Sequence, residues 1–287
     1  MNRPNQPPPS QHGHKMKFTV LSILLILVPA LPAVEIIAHR GASHDAPENT
    51  LASVNLAWKR NADAVEIDVY LSRDKKIVVI HDQDTGRTTG HRGLVHEQTW
   101  AQLRKLDAGA WKAPKWKGEP IPSLEQVLNT IPKSKRLFIE IKCGPEIVPP
   151  LATLLAKTKT PAAQTAIIAF SLEVCTAAKK RLPALEVFYL KHLKQSPETA
   201  QWPAIAPAID GAKAAHLDGI NIGFRGQINT AAYAAYLRQI RTQSRRQKLG
   251  LFAWTINTPT QARQLKNAGF QGITTDRPAF IRENIKK

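Results

Sequence analysis

Val65 to Asp82 reads VEIDVYLSRDKKIVVIHD, two short apolar-rich arms around a polar turn, Ser72 to Lys76. Both arms have strand character, and pairing them about Asp74 and Lys75 sets Asp68 opposite His81. Glu66 and Asp68 are two residues apart, so on a strand their carboxylates share a face. One hairpin therefore gathers two carboxylates and an imidazole. Hard oxygen ligands beside a titratable nitrogen suit a divalent cation working next to an acid or base, as phosphoester cleavage requires. Taken alone, the same residues fit an ordinary half-buried strand pair with solvated charges equally well.

On either side of this hairpin the chain alternates short strand-like runs with helical periodicity. Strands are expected at Val34–Ala38, Ala64–Val69, Arg136–Ile141, Thr165–Phe170, Glu186–Leu190, Leu217–Ile222, Leu249–Trp254 and Gly272–Thr275, with Ile77–His81 as the hairpin's return arm. Leu51, Val54 and Trp58 mark one intervening amphipathic helix, and Tyr233, Tyr236, Leu237 and Ile240 another. Eight such units imply an α/β fold of the TIM (β/α)8 barrel type over residues 34–287, with catalytic groups at the carboxyl ends of the strands. An open doubly wound sheet is disfavoured because no glycine-rich dinucleotide loop follows the first strand. Residues 83–122 break the alternation with turns and three tryptophans, Trp100, Trp111 and Trp116. An insertion there is expected to form a small cap over the entrance, with at least two of the tryptophans spent on packing.

The chain has 287 residues, enough for one barrel, and a formal net charge of +18. That charge suits a lipid surface, an anionic substrate or nucleic acid, but Lys133–Arg136, Lys179–Arg181 and Arg245–Arg246 fall in no nucleic-acid-binding motif, so no specific nucleic-acid partner is expected. Its two cysteines, Cys143 and Cys175, lack metal-ligand spacing and are either one disulfide of an exported chain or two thiols. Residues 1–33 read as a signal peptide or hydrophobic anchor: Lys15 and Lys17, the apolar run Phe18–Val28, then Pro29 to Ala33 with small residues for cleavage. The run is shorter than the ~20 residues of a spanning helix. Met16-Lys17-Phe18 would begin an ordinary signal peptide, which marks Met16 as the alternative start, and the address is expected to be extracytoplasmic, periplasmic or secreted, with membrane association through residues 18–33 as the alternative.

More chemistry falls at the expected strand ends. His39-Arg40-Gly41 closes the first strand, and a guanidinium matches phosphate oxygens. Pro47-Glu48-Asn49-Thr50 opens a helix, where Thr50 reads as an N-cap. Glu140 and Lys142 share a face at the end of the third strand. Together the rim would carry three carboxylates, two histidines, an arginine and a lysine.

This ordered set resembles the glycerophosphodiester phosphodiesterases: His39-Arg40-Gly41, Pro47-Glu48-Asn49-Thr50, Glu66-Ile67-Asp68-Val69, His81-Asp82, Arg87-Thr88-Thr89, Glu140-Ile141-Lys142, Trp254-Thr255-Ile256-Asn257 and Gly272-Ile273-Thr274-Thr275-Asp276. Thr85-Gly86 replace the family's usual Leu-Asp, a departure expected to touch substrate preference. The resemblance implies a TIM barrel that hydrolyses small glycerophosphodiesters to sn-glycerol 3-phosphate and an alcohol. It implies Glu66, Asp68 and Glu140 as metal ligands, His39 and His81 as the acid–base pair, and Arg40 and Lys142 as phosphate-holding groups. Oxygen-only ligation favours Mg²⁺ or Ca²⁺ over zinc. Glu48 and Trp254 are expected at the substrate pocket, each with a structural reading beside it. Asp276 and Phe170 are expected in supporting places, and His44, His91, His96, His192 and His216 on surface or loops without a role. Two rival functions are a lysophospholipase D-like activity and a non-catalytic barrel that binds glycerophosphodiesters or acidic polymers.

Overall fold

The computed structural model describes Met1 and residues 34–285. The signal or anchor segment, and the start at Met16, lie outside the described residues. Strands β1 (Glu35–His39), β2 (Ala64–Leu71), β3 (Ile77–Val79), β4 (Arg136–Ile141), β5 (Thr165–Ala169), β6 (Glu186–Lys194), β7 (Gly219–Arg225), β8 (Gly250–Trp254) and β9 (Gly272–Thr275) form one sheet. Its order is β1-β9-β8-β7-β6-β5-β4-β2-β3, and a further β1–β2 pairing closes eight parallel strands into a barrel. The remaining strand, β3, runs antiparallel to the upper half of β2. Helices follow the strands, as a TIM barrel requires. Among the described residues no helix is long and apolar enough to cross a membrane.

The alternation of strand side chains divides the apolar residues into two cores. Val65, Ile67 and Val69 of β2 and Leu137, Ile139 and Ile141 of β4 face outward into the layer shared with the helices. That layer also takes Val54 and Ala57 of the helix Leu51–Lys59, and Tyr233, Leu237 and Ile240 of the helix Ala231–Arg246. Inside the barrel sit Ile37, Ala64, Phe138, Ala166, Ile168, Phe188, Leu190 and Phe252. Phe188 packs 4.5 Å from Phe252, centroid to centroid, and Phe138 lies 5.6 Å from Phe252, so phenyl rings fill the barrel below its mouth. On the same inward files the next residues up are polar: Glu66 and Asp68 on β2, and Glu140 on β4. The register thus puts a dry floor directly under a ring of charge.

Two details differ from the sequence reading. In the hairpin, Leu71 pairs with Ile77 and Val69 with Val79, and the Ile80 amide donates to the Asp68 carbonyl at 3.0 Å. Asp68 therefore lies opposite Ile80, not His81. The shift by one residue arises because Arg73, Asp74 and Lys75 form a three-residue loop, with the Lys75 amide bonding the Ser72 carbonyl and Lys75 in the left-handed region at φ 62°. Both cysteines are free thiols, Cys175 buried and Cys143 half-buried, which leaves the disulfide alternative without support.

Residues 83–122 fold over β2 and β3 as a cap with its own small core of Val78, Ile80, Val95, Leu103, Ala108 and Ile121. Trp100 packs against that core, whereas Trp111 is 42% exposed and turns toward the barrel mouth. The Glu119 carboxylate accepts from the Ala52 amide at 2.9 Å and so ties the cap to the first helix.

Candidate active site

The chain leaves β1 through two left-handed residues, Arg40 (φ 54°) and Gly41 (φ 81°). Gly41 is required there twice over, because a Cβ would also lie 2.5 Å from the Ser53 carbonyl carbon. This turn points the Arg40 amide into the barrel mouth, where it donates to Glu66 Oε2 at 2.9 Å. Thr50 caps the next helix in a reciprocal pair with Ser53, as its position suggests. Asn49 instead clamps Asp68, its Nδ2 donating to Asp68 Oδ2 at 2.7 Å and its Oδ1 accepting from the Asp68 amide at 3.1 Å. These two bonds fix the rotamer of a carboxylate that is 1% exposed.

Glu66, Asp68 and Glu140 converge so that one oxygen from each lies within 4.8 Å of the others. Glu66 Oε1 is buried without a hydrogen-bond partner, and Asp68 Oδ1, also without one, has only the Lys142 ammonium at 3.5 Å. Leaving anionic oxygens in that state is costly unless a cation reaches them. Burial, reinforced by Asp68 and then Glu140, pushes the Glu66 carboxyl well above the usual carboxylate range. Burial and Asp68 likewise raise Glu140 to about 7, against the pull of Lys142. Three crowded carboxylates with unused lone pairs and no sulfur or nitrogen ligand fit a hard divalent cation.

Arg40 and Lys142 brace the cluster from two sides. Arg40 Nε stands 3.3 Å from Asp68 Oδ2, and Nη1 donates to Glu48 at 2.8 Å. Lys142 Nζ donates to Glu140 Oε1 at 2.7 Å and lies 3.5 Å from Asp68. Burial opposes both cations, but the carboxylates prevail and raise each above its ordinary pKa. Glu48 is not part of the trio. It is gripped by Arg40 and by both terminal nitrogens of Arg87, at 2.7 and 3.0 Å, and these partners overcome burial to keep its carboxyl low.

Both imidazoles flank the cluster, each tied through Nδ1 to a carboxylate. His39 Nδ1 is 2.7 Å from Asp276 Oδ1, and His81 Nδ1 is 2.6 Å from Asp82 Oδ1. A carboxylate only accepts, so Nδ1 carries the hydrogen in both rings and Nε2 is left to the site. His39 Nε2 lies 4.0 Å from Glu66 Oε2, and His81 Nε2 lies 3.3 Å from Lys142 Nζ. Burial, with repulsion from Arg40 and Lys142, outweighs Asp68 and Asp82 and lowers the His81 pKa. Burial works against the Asp276 charge, yet hydrogen bonds from His39, Asn257 and Ser43 hold its carboxyl down at about 2.

All nine residues expected at the site are thereby at the barrel mouth, with Trp254 lining the small void beneath His39, Glu66 and Glu140. Three further residues belong with them. Asp276 and Asp82 hold the histidines, and His192 sits on β6 with its ring 4.4 Å from Trp254 and 5.7 Å from Phe170. His192 is exposed, as expected, but stands on β6 rather than a loop and is part of an aromatic wall at the rim. Reading β6 two residues past Leu190 on the inward file would have found it.

A model of the glycerophosphoryl diester phosphodiesterase family matches residues 39–280. A glycerophosphodiester phosphodiesterase of Bacillus subtilis (strain 168) is 31% identical over 269 residues, covering 88% of this chain and 86% of its own length. YhdW of the same organism, named as a candidate for that activity, is 36% identical and covers 86% of this chain and 96% of its own. Among solved structures, an Oleispira antarctica phosphodiesterase in complex with the product sn-glycerol-3-phosphate superposes with a TM-score of 0.73 at 28% identity, over 88% of this chain and 97% of the other.

Proposed function

Since the chain belongs to the glycerophosphoryl diester phosphodiesterase family, we propose that it hydrolyses glycerophosphodiesters to sn-glycerol 3-phosphate and an alcohol, with His39 and His81 as the acid–base pair. The carrying observation is the two imidazoles, each held by a carboxylate at 2.7 or 2.6 Å, on either side of the Glu66–Asp68–Glu140 cluster. A Mg²⁺ or Ca²⁺ ion held by those three carboxylates would neutralise phosphate charge as a Lewis acid.

The residues of the chain itself divide the remaining work. Arg40, its Nε 3.3 Å from Asp68, lines the open cleft and supplies a guanidinium for a phosphate oxygen, and the Lys142 ammonium is held at the same carboxylate as a second cation. His81, kept neutral by burial, takes the proton of a glycerol hydroxyl as that oxygen bonds to phosphorus. A protonated His39 meets Asp276 on one side and Glu66 on the other, and gives its Nε2 proton to the departing alcohol oxygen as the phosphorus–oxygen bond breaks. Water then opens the cyclic phosphodiester with the two rings in exchanged roles. Net, one water is consumed and both histidines regain their starting states.

Replacing His39 or His81 with Ala is expected to lower kcat on glycerophosphocholine by about 10²–10⁴-fold, with an unchanged circular dichroism spectrum. A double variant with full activity would end the proposal. A lysophospholipid substrate is the second reading, favoured by the aromatic wall of Phe170, His192 and Trp254, in which Phe170 is 41% exposed. Faster turnover of long-chain lysolipid than of glycerophosphocholine would support it. An extracytoplasmic address is part of the proposal, on the strength of the Phe18–Val28 run. Amino-terminal sequencing of the protein from its native cells tests it, and a chain beginning at Met1 or Met16 would count against cleavage.

A further inference from the structure

Two spaces meet at His39, and they differ in size and charge. Beneath the rim lies a small void of about 10 Å³, room for one water, walled by Ile168, Leu190 and Trp254 with Asn221 in its lining. Asn221 is 1% exposed, and its Oδ1 has no hydrogen-bond partner. A buried amide oxygen in that state calls for a donor, which one water in the void supplies. The second space, about 520 Å³, opens to solvent between His39 and the cap residues Trp111 and Lys112. His39, which gives its proton to the departing alcohol in the reading above, lines this wider cleft, so the alcohol arm of the diester falls there.

Charge in that cleft is uneven. Arg40 is paired with Glu48 and Asp68, Asp276 with His39, and His44 with Asp45. Lys112 Nζ instead donates to the Ser43 carbonyl at 2.8 Å, and among the described residues it has no carboxylate partner. Ser43 also donates its hydroxyl to Asp276 at 3.1 Å, so the ammonium stands one residue from the His39–Asp276 pair. Its Nζ stands over the exposed indole of Trp111, 5.7 Å from the ring centroid. A main-chain carbonyl leaves the charge of a lysine uncompensated, and a partly enclosed cleft focuses it.

We propose that the cleft beneath Trp111 takes the alcohol arm and that Lys112 selects arms bearing a second anion, a carboxylate or a further phosphate. This rests on the hydrolytic reading above. The expected preference is about five- to ten-fold, the scale of a partly exposed ion pair with one charge-assisted hydrogen bond.

Two matched pairs of diesters test it. Glycerophosphoserine against glycerophosphoethanolamine isolates a carboxylate, and glycerophosphoglycerol phosphate against glycerophosphoglycerol isolates a phosphate. The wild-type protein should favour the anionic member of at least one pair in kcat/KM. Lys112→Met should bring that ratio to about one, and Lys112→Glu should invert it. Ratios near one in the wild type, or ratios that neither variant moves, would overturn the proposal. Calorimetric Kd values in the His39→Ala background give a readout free of turnover, and equal affinities within both pairs would also overturn it. A binding preference without hydrolysis by the wild type would uphold the anion subsite and remove the hydrolytic reading instead.

Discussion

Replacing Asp276 with Asn changes little in size and removes one charge from behind His39. Asp276 Oδ1 accepts from His39 Nδ1 at 2.7 Å and from Ser43 at 3.1 Å, while Oδ2 accepts from Asn257 Nδ2 at 2.5 Å. An asparagine amide cannot satisfy all three donors. With its NH₂ toward Asn257, two donors face each other; flipped, the NH₂ faces His39 Nδ1 and drives the ring's hydrogen to Nε2. The first arrangement keeps the His39 bond but strips the carboxylate charge from behind the imidazolium, and the second also turns the hydrogen away from Nδ1. A hydrogen bond to a charged group is worth about 1.5–3 kcal/mol, which converts to a loss in kcat of roughly 10- to 150-fold. Steady-state assay of glycerophosphocholine hydrolysis across pH separates this from a structural role. The fall should lie in kcat with little change in KM, and the limb of the pH profile that reports His39 should move. If Asp276→Asn holds kcat within two-fold of wild type and keeps the same profile, the reasoning about His39 is wrong.

Three other outcomes follow from the same structure. Stripping divalent cations should lower Tm, and restoring Mg²⁺ or Ca²⁺ at about 100 times Kd should return roughly 2.7 kcal/mol of stability; calorimetry showing no shift for either ion, or an undiminished shift in Glu140→Gln, would argue against the carboxylate site. At the opposite end of the barrel, burial raises the Glu35 carboxyl from 4.5 to about 7 despite Arg136, so the folded state holds a proton that the unfolded chain releases and stability should fall as pH rises from about 4.5 to about 7. Glu35→Gln should therefore gain about 1–3 kcal/mol over wild type at pH 8 and little at pH 4.5, and urea titrations giving the same difference at both pH values would refute this. Phe188 is 1% exposed and packed between Phe138 and Phe252, so Phe188→Ala should cost about 3–5 kcal/mol in urea unfolding; a loss under 1 kcal/mol would contradict the ring-filled barrel floor.

Side-chain parity made much of the site legible. Glu66 with Asp68, and Glu140 with Lys142, stand two apart on or just past strands that are otherwise mostly apolar, and nothing but their inward direction was needed to bring them together. Contacts set by barrel closure were less accessible: His39 and Asp276 are 237 residues apart, and only the pairing of β1 with β9 makes them neighbours. The hairpin register slipped by one because Lys75 adopts the left-handed conformation without the glycine that usually signals it. His192 was missed because β6 runs on to Lys194, where Lys191 and Lys194 disguise the strand as a loop. Among the cap tryptophans, composition could not say that Trp100 packs inward and Trp111 faces the mouth; that depends on the fold of the cap core.

The convergence of three carboxylates on one cation can be observed directly by anomalous scattering from crystals soaked in Mn²⁺. A single strong peak bonded at about 2.0–2.2 Å to Glu66, Asp68 and Glu140 together is the predicted result, by analogy with small octahedral cations. A peak elsewhere, or none at these carboxylates at saturating Mn²⁺ and neutral pH, would contradict the account.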